Sequence, residues 1–496
     1  MMKHVSEFLR LSAKNFSTKT AVVCGDKSIN FKVLDELSDK VASEILRANI
    51  KKEPIFILLP KDIWCIVAFF GVIKSGNFYA IIDENSPKER LLSVTCKIKP
   101  KLLITSKNFD FSFLNIKTIF DSDFKNFKTD TALLNTAKST FLDVDLAYIL
   151  FTSGSTGTPK GFAVNHKNLI DYATWAVECF GINSTDNVAN QAHFHFDKSV
   201  LDIYPSILSG ATLHILKGQD WAFPDKIMGY FKDKNITQTG ITPQIINYFA
   251  NTNALIALPH LKRVFISGEI TPVKQVKIWI NAYKNAKIIN LYGASEITGI
   301  CSYFVCEREL KDDEILPIGK ACENTEILLL SDDLSQIFTP YKKGEIYVRG
   351  SCVSSGYYND NELTKMAFVQ NPLNDKFIDL VYKTGDIGYF NENYELVCAG
   401  RADNQIKLKG HRIELGEIEC VLGTHEGVKN VACVFENSQI FAFYESEIEL
   451  DLREFLSTKL PKYMLPRHFI RVSKFQLNNN TKIDRKILKQ IAKDFK

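Results

Sequence analysis

The sequence predicts an α/β fold with a large N-terminal domain of parallel sheets plus a β-rich subdomain, and a small mobile α+β C-terminal domain. Two long stretches alternate short apolar runs with amphipathic helical segments. A stretch of short strands and turns follows them, and strands alternate with helices again after residue 400. Because 496 residues are too many for one ordinary core, we place the domains at residues 1–400 and 401–496.

The first alternating stretch predicts a parallel pair of strands joined by a helix. Residues 30–49 and 62–74 place apolar side chains at helical spacing. Residues 54–59 and 78–82 are short apolar runs on either side of the second helix, and each predicts a buried strand.

The second stretch repeats this pattern and gives way to a region of strands. The predicted elements are strands at 213–215, 238–241, 264–266 and 287–290, helices near 226–233 and from 244 and 273, then strands at 327–330 and 344–349. Helical crossovers between apolar strands are typical of parallel sheets, whereas strands separated by turns indicate the β-rich subdomain.

Composition excludes several classes of partner. With 61 basic and 57 acidic residues the net charge is only +4, and no basic stripe accompanies it, so we expect no nucleic-acid partner. The longest apolar run, residues 63–73, is too short to span a bilayer, and the first sixteen residues contain no continuous apolar core of signal-peptide length. Eleven dispersed cysteines without a C-x-x-C pair indicate free thiols, so we expect a cytoplasmic protein. Because no apolar run is long enough to span a bilayer, we expect no membrane partner.

Residues 148–161 carry the strongest functional signal. They read YILFTSGSTGTPKG, an apolar strand followed by a loop of glycines, hydroxyls and Lys160. Glycines let the backbone approach an anion closely, and the hydroxyls and the lysine supply donors. The spacing G-x-x-G-x-x-K differs from the usual P-loop, and Pro159 disfavours a helix starting at the lysine. The pattern predicts a loop that holds polyphosphate.

Four further motifs follow this loop in order. They are NLYGASE at 290–296, YKTGD at 382–386, GRADNQIK at 400–407 leading into GHRIELGEIE at 410–419, and NTKIDR at 480–485. Together the motifs resemble the adenylate-forming superfamily of amino-acid adenylation domains, acyl- and aryl-CoA ligases and luciferases, from about residue 30 onward. Two positions depart from the family pattern: Ala294 replaces a usual proline and Thr481 a usual glycine.

The resemblance implies a reaction and a set of residues. A carboxylate would attack the α-phosphate of ATP, releasing pyrophosphate and leaving an acyl-adenylate, with Mg²⁺ screening the charges. Glu296 would bind Mg²⁺ and Lys482 would stabilise the transition state, while Asp403 matches the hinge near 401–403. The implied nucleotide contacts are Thr152, Ser153, Thr156 and Lys160 for the phosphates, Tyr292 for adenine, Ser295 for the α-phosphate, Asp386 for the ribose, and Arg401 for the ribose or for phosphate.

The stretch HFHFDKSV at 193–200 narrows the substrate class. Asp197 stands where amino-acid-activating members pair an aspartate with the substrate α-ammonium, and a carboxylate would be costly beside an aliphatic chain. By the same resemblance, the side-chain pocket is lined by Lys198, Leu201, Gln244, Phe265, Ser267, Leu291, Gly299 and Ile300.

The pocket residues favour a small substrate. Phe265 and Leu291 are space-filling, and residues 197–206 also resemble the D-alanine–carrier protein ligases. Lys198 and Gln244 leave a second possibility open, because an inward lysine suits an acidic or amide side chain. An alanine-like amino acid of either hand ranks first, and aspartate, glutamate or their amides second.

The acceptor is expected to be a thiol supplied in trans. No condensation domain precedes the chain and no carrier-protein serine motif follows it, so we expect a free-standing enzyme that uses a phosphopantetheinylated carrier protein. One alternative is a carboxylate–CoA ligase, which would use free CoA. Another is a non-catalytic nucleotide-binding interaction protein, against which the retention of Lys160, Glu296, Asp386, Arg401 and Lys482 argues.

Overall fold

The computed structural model describes residues 2–154, 159–252, 254–402, 405–476 and 483–495. Packing divides the chain into two compact units. The large unit comprises Met1–Glu84, Lys99–Phe151 and Gly161–Ala402, and the small unit comprises Asn85–Ile98, Thr152–Lys160 and Asp403–Lys496. The small unit thus includes two segments from the N-terminal part of the sequence, and the domain division at residue 400 stays a prediction.

The helices are α1 (Ser6–Asn15), α2 (Phe31–Arg47), α3 (Ile63–Lys74), α4 (Lys88–Ile98), α5 (Thr131–Lys138), α6 (His166–Phe180), α7 (Lys198–Ser209), α8 (Pro224–Asp233), α9 (Pro243–Asn251), α10 (Val273–Ala282), α11 (Asn361–Ala367), α12 (Leu415–Leu422), α13 (Leu452–Ser457) and α14 (Arg485–Asp494). Within the described ranges, no helix combines the length and apolar character needed to cross a bilayer.

The first group of strands is β1 (Thr20–Cys24), β2 (Lys27–Asn30), β3 (Pro54–Leu58), β4 (Phe78–Ile81), β5 (Leu102–Thr105), β6 (Thr118–Phe120), β7 (Leu146–Thr152), β8 (Lys160–Asn165), β9 (Asn187–Asn190), β10 (Thr212–Ile215), β11 (Gln238–Ile241), β12 (Arg263–Ser267), β13 (Lys287–Tyr292), β14 (Ser302–Val305) and β15 (Lys320–Ala321). The remaining strands are β16 (Thr325–Leu330), β17 (Gly344–Gly350), β18 (Phe368–Gln370), β19 (Leu380–Phe390), β20 (Leu396–Arg401), β21 (Gln405–Leu408), β22 (His411–Glu414), β23 (Asn430–Glu436), β24 (Gln439–Glu445) and β25 (His468–Val472).

Two sheets of the large unit contain the predicted parallel strands. The larger has the order β15–β14–β13–β12–β11–β9–β10–β1–β2, and its strands from β1 through β10, β9, β11 and β12 to β13 are parallel. The second has the order β6–β5–β3–β4–β7–β8, with parallel pairing from β6 to β7. These sheets confirm the α/β fold predicted from the sequence.

Helix α3 lies between these sheets, and α2 packs on α3 and on β1 and β2 of the larger sheet. Asn30 caps α2 by accepting a hydrogen bond from the Val33 backbone, and Asp62 caps α3 by accepting from Trp64 and Cys65. Helix α3 packs on α2 and contacts both β1 of the larger sheet and β3 of the second. A helix in contact with two sheets has little polar surface, which is why its sequence is almost continuously apolar.

The β-rich stretch forms a third sheet in the large unit, with the order β16–β17–β19–β18 and β20 paired to β19. The motif at 382–386 lies inside β19. Strand β13 likewise continues to Tyr292, so the first three residues of the 290–296 motif are strand residues. In both cases the alternating side chains pair with a neighbouring strand, which extends the strand through the motif.

The small unit builds its own sheets. Strands β21 and β22 form a hairpin, and β24 pairs antiparallel with β23 and parallel with β25. Ile418 and Leu422 of α12 pack with Cys433 and Tyr444 in a buried core. All eleven cysteines of the chain lie in the described residues as free thiols, as the sequence predicted.

Candidate functional site

The predicted substrate aspartate faces a serine from a neighbouring loop. Asp197 is half-buried immediately before α7, takes helical backbone angles, and does not cap that helix with its side chain. Its Oδ2 accepts a hydrogen bond of 2.6 Å from Ser295 Oγ. Because the Asp197 carboxylate does not cap α7, it can accept hydrogen bonds from a group that lies beside the helix.

The loop that carries Ser295 is tightly closed. The Cys301 amide donates to the Tyr292 carbonyl, and a Cβ on Gly293 would lie 2.3 Å from the Gly299 carbonyl oxygen. Gly299 has a φ of +97°, which favours glycine, and a Cβ there would lie 3.8 Å from the Asp197 Cβ. The loop therefore places Gly299 as well as Ser295 beside Asp197.

Ala294 keeps this turn closed in place of the family's proline. Its carbonyl accepts hydrogen bonds from the Ile297 and Gly299 amides, and its φ is −135°. Proline would hold φ near −65°, so alanine suits the extended backbone seen here.

Lys198 points toward the end of β12. Its Nζ donates to the Ser267 carbonyl over 2.9 Å, and a Cβ on Gly268 would come within 2.1 Å of the ammonium. The sequence left this orientation open. The side chain therefore runs from α7 to the strand end that carries the predicted pocket residue Ser267.

Phe265, Ser267 and Leu291 lie on one face of the larger sheet. Ser267 pairs with Leu291, and Phe265 is two residues before Ser267, so their side chains project to the same side. Phe265 is 1% exposed and its ring lies 4.7 Å from the Phe180 ring of α6. Leu201 and Ile300 are also buried, and Gln244 is half-buried in α9. The pocket role of these residues stays a prediction.

Tyr292, Asp386 and Arg401, all predicted to contact the nucleotide, are in direct contact. The Tyr292 hydroxyl donates to Asp386 Oδ2 over 2.6 Å, and the Arg401 guanidinium donates to Asp386 Oδ1 over 2.8 Å and to the Thr384 carbonyl. Arg401 is placed there because β20 pairs it opposite Asp386. Burial, and then the nearby Asp386 carboxylate, raise the pKa of Tyr292 well above its usual value, which keeps its proton available for donation.

Glu296 is a buried carboxylate with a tyrosine donor. It is 0% exposed, and its Oε1 accepts a hydrogen bond of 2.7 Å from the Tyr357 hydroxyl. Sequence reasoning missed Tyr357, which lies 61 residues away and belongs to none of the motifs. The described residues contain no group of three or more His, Cys, Asp or Glu side chains that could hold a metal. A single carboxylate suits Mg²⁺ when phosphate oxygens and water complete its octahedron.

The described part of the phosphate loop contacts glutamates of the small unit. Lys160 Nζ lies 3.0 Å from Glu414 Oε1, and the Gly154 amide donates to Glu417 Oε2 over 2.9 Å. Ser153 Oγ donates to the Arg412 carbonyl and accepts from the Glu414 amide. Lys160 begins β8, so no helix starts at the lysine, as Pro159 predicted. The donors predicted for phosphate oxygens here meet carboxylate oxygens.

A wider network holds these glutamates. Glu417 is fully buried and accepts a 2.8 Å hydrogen bond from Arg90 of α4, while Gln405 donates to Glu414. Arg412 in turn donates to the Gln405 side chain. The motif at 410–419 was visible in the sequence, but nothing in it indicated that Glu414 and Glu417 face the phosphate loop.

The remaining predicted residues divide into two groups. Thr152 ends β7 with a buried hydroxyl that has no hydrogen-bond partner among the described residues. Thr156, Asp403 and Lys482 lie outside the described residues. The structure thus brings Asp197 to Ser295 and Asp386 to Tyr292 and Arg401, and the roles of all these residues stay predictions.

Comparison with known proteins gives the family. The model of the AMP-binding enzyme family matches residues 9–358. The D-alanine–D-alanyl carrier protein ligase of Bacillus cytotoxicus is 31% identical, over 95% of this chain and 96% of its own length. Tyrocidine synthase 3 of Brevibacillus parabrevis is also 31% identical, over 99% of this chain but 8% of its own length. The chain thus spans a small part of this and other large curated relatives.

A solved structure agrees on the fold. NpsA-ThdA, an artificially fused adenylation–PCP di-domain from Klebsiella oxytoca, superposes with a TM-score of 0.80 at 22% identity, covering 95% of this chain and 94% of that one. The match of the family model over residues 9–358 and the 31% identity to the Bacillus cytotoxicus relative identify the chain as a member of the AMP-binding enzyme family.

Proposed function

We propose that this enzyme activates a small amino acid as its aminoacyl-adenylate and transfers it to the phosphopantetheine thiol of a carrier protein. The observation that carries the proposal is the Asp197 carboxylate, which is half-buried beside Gly299 and hydrogen-bonded to Ser295. Such a carboxylate recognises an ammonium group by charge-assisted hydrogen bonds.

The Ser295 hydrogen bond prepares Asp197 for an ammonium. Because the hydroxyl donates to Oδ2, the carboxylate is fixed in orientation, while Oδ1 and a second lone pair of Oδ2 remain for the substrate. Partial burial also strengthens the attraction between the two charges relative to bulk water. A fatty or aryl acid offers no charge to compensate for the buried carboxylate.

The Tyr292–Asp386–Arg401 cluster supports the proposed ribose site. Asp386 is 4% exposed, and each of its oxygens accepts one hydrogen bond from the protein. The second lone pair of each oxygen can accept a ribose hydroxyl, as a carboxylate with two fixed oxygens does for a vicinal diol. The protein therefore fixes the orientation of the Asp386 carboxylate and leaves one lone pair on each oxygen for the ribose hydroxyls.

Ser153 and Lys160 would bind the ATP phosphates, and Glu296 would be the protein ligand of Mg²⁺. Glu414 and Glu417 have to release the loop first, because the donors of Gly154 and Lys160 are bonded to their carboxylates. A bound Mg²⁺ would neutralise charge on the phosphate oxygens. Tyr357 holds the Glu296 carboxylate in a fixed orientation, which favours one defined metal position.

The side-chain contacts support a small substrate. Lys198 extends to the Ser267 carbonyl, and Phe265 is packed on Phe180, so both occupy volume on the side of the sheet predicted for the pocket. We therefore place alanine-like amino acids first. Because Lys198 brings a positive charge to this wall, a substrate with an acidic or amide side chain is the second candidate.

The carrier-protein step is supported by the relatives. The Bacillus cytotoxicus relative is described as a D-alanine–D-alanyl carrier protein ligase, and it matches this chain over nearly its full length. The test is to incubate the enzyme with ATP and a labelled amino acid, together with a phosphopantetheinylated carrier, the same carrier without phosphopantetheine, or free CoA. We expect label only on the phosphopantetheinylated carrier. A labelled CoA thioester with an unlabelled carrier would favour the CoA ligase.

A further inference from the structure

A buried acid–amide pair lies on the next turn of the helix that begins after Asp197. Asp202 of α7 is 2% exposed and Asn190, the last residue of β9, is 0% exposed. The Asn190 Nδ2 donates to Asp202 Oδ2 over 2.9 Å. The other two oxygens, Asp202 Oδ1 and Asn190 Oδ1, are buried and have no hydrogen-bond partner among the described residues.

The two unsatisfied acceptors, Asp202 Oδ1 and Asn190 Oδ1, indicate that Asp202 carries a proton. If Asp202 is ionised, both oxygens lack donors, and each buried unsatisfied acceptor is costly. If Asp202 is protonated, its hydroxyl can donate to the amide oxygen while its carbonyl oxygen accepts from the amide nitrogen. Each partner then donates one hydrogen bond and accepts one, and both orphans are satisfied.

Among the described residues, only the Asn190 amide is hydrogen-bonded to the Asp202 carboxyl group. Lys61 Nζ donates to three carbonyls, those of Asn190, Gln191 and Leu216, which match its three donors, and no ion pair joins it to Asp202 in the described part of the chain. From β11, Gly240 presents only backbone, so that an added Cβ would lie 3.5 Å from Asp202 Oδ1. From α6, Tyr172 is within electrostatic range and its buried hydroxyl has no described partner.

The pKa of Asp202 is consistent with a protonated carboxyl group. Burial raises the pKa of Asp202 to about 7, against the opposing effects of the Asn190 hydrogen bond and the Lys61 charge. The acid can therefore hold its proton at mildly acidic pH and lose it at alkaline pH.

We propose that Asp202 is a positioning residue of the amino-acid site: in its protonated form it closes a two-hydrogen-bond ring with Asn190 and fixes the end of α7 next to Asp197. This inference rests on the proposed function, because it assumes that Asp197 binds the substrate. Lys61 holds the Asn190 main chain, Asn190 holds Asp202, and Asp202 belongs to the helix that Asp197 precedes. When Asp202 loses its proton to solvent, the ring opens, because the carboxylate can no longer donate to Asn190 Oδ1 and only the hydrogen bond from Asn190 Nδ2 remains.

Asp202→Asn tests the ring directly. The asparagine amide can donate to Asn190 Oδ1 and accept from Nδ2 without titrating, whereas Asp202→Leu can do neither. In ATP–pyrophosphate exchange, we expect the wild-type KM for the amino acid to rise about tenfold between about pH 6 and about pH 8. D202N should keep a low and pH-independent KM, and D202L a high KM throughout. If D202N instead behaves like D202L, Asp202 acts as an ion and the ring is wrong.

A second readout separates this inference from the proposed function. Ligand-free wild-type protein should show the infrared carbonyl band of a carboxylic acid at mildly acidic pH, absent in D202N and lost at alkaline pH. Absence of that band overturns the ring whatever the substrate is. If the band is present but no amino acid drives ATP–pyrophosphate exchange, the ring is supported and the proposed function is contradicted. Asp186→Asn is the matched control: Asp186 is equally buried but pairs with Arg263, so this change should lower thermal stability and leave the band unaltered.

Discussion

Ser295 Oγ donates a 2.6 Å hydrogen bond to Asp197 Oδ2, so the residue predicted to lie near the α-phosphate contacts the residue predicted to bind the ammonium. Ser295 belongs to the loop after β13, and Asp197 to the segment before α7. In the proposed function, this hydrogen bond would link recognition of the amino group to the place where the adenylate is expected to form. A substrate without an ammonium would leave the Asp197 charge uncompensated at that place.

Ser295→Ala should weaken amino-acid binding more than ATP binding. The change removes a donor to a charged acceptor, which is worth about 1.5–3 kcal/mol, so we expect the KM for the amino acid to rise about 10- to 100-fold. Ser302→Ala is the matched control, because the Ser302 hydroxyl is buried without a described partner. Steady-state exchange kinetics with each substrate varied in turn gives both constants. Equal KM values for wild type and S295A would show that the hydrogen bond does not orient Asp197.

Tyr292→Phe should lower affinity for ATP. It removes the hydroxyl that donates to the Asp386 carboxylate but keeps the aromatic face, so we expect a loss of about 1.5–3 kcal/mol, or roughly 10- to 100-fold in Kd. Isothermal titration with ATP measures it. Tyr172→Phe removes an equally buried hydroxyl that has no described partner and should leave the Kd unchanged. If both variants bind ATP as tightly as wild type, Asp386 does not depend on Tyr292.

Glu414→Gln should tighten ATP binding. The Glu414 carboxylate is bonded to Lys160, and a neutral amide holds an ammonium less strongly than a carboxylate does. Release of the lysine then costs less, and we expect the Kd for ATP to fall several-fold. The exposed Glu426→Gln serves as the control for the loss of one negative charge. A weaker affinity in E414Q than in E426Q would mean that Glu414 supports ATP binding and does not compete with it.

Asp202 and Lys61 should each make the free energy of unfolding depend on pH, in two separate pH windows. Burial raises the pKa of Asp202 from 3.8 to about 7, so between these pH values the folded state keeps a proton that the unfolded state releases. The stability that this proton contributes is therefore lost as the pH rises from 3.8 to about 7. Burial lowers the pKa of Lys61 from 10.5 to about 7, so the unfolded state binds more protons there and stability increases as pH rises from about 7 toward 10.5.

Urea unfolding of the wild type, Asp202→Asn and Lys61→Met at a series of pH values separates the two pH windows. Asp202→Asn should flatten only the decline below about pH 7, and Lys61→Met only the increase above it. If neither variant changes the slope of unfolding free energy against pH, these groups do not titrate in the folded protein.

Much of the fold could be predicted because the local signals agreed with the tertiary structure. The apolar runs at β3 and β4 and the helical spacing of α2 and α3 predicted a parallel crossover, since β3, β4 and α3 are buried on both sides. Strand ends were less certain: β13 and β19 extend through their motifs because neighbouring strands pair with them. Pairing between distant segments leaves no mark in a local pattern.

The sequence named candidate site residues but not the contacts between them, and the roles of those residues stay predictions. The stretch at 193–200 indicated Asp197 and the motif at 290–296 indicated Ser295, whereas their hydrogen bond depends on a loop closed around Gly293 and Gly299. The contacts from Tyr357 to Glu296 and from Glu414 to Lys160 join residues 61 and 254 positions apart. The direction of Lys198 was open for the same reason, since the Ser267 carbonyl that receives it belongs to another strand.

The most direct test of the central claim is ATP–pyrophosphate exchange by the purified wild-type enzyme and its Asp197→Ala variant. The panel contains the standard amino acids, both enantiomers of alanine, and short fatty and aryl acids, with S302A as a control for a neutral buried change. We predict that one small amino acid drives exchange with wild type and S302A, and that D197A abolishes it. Exchange driven only by carboxylates without an amino group, at the same rate in D197A, would contradict the account.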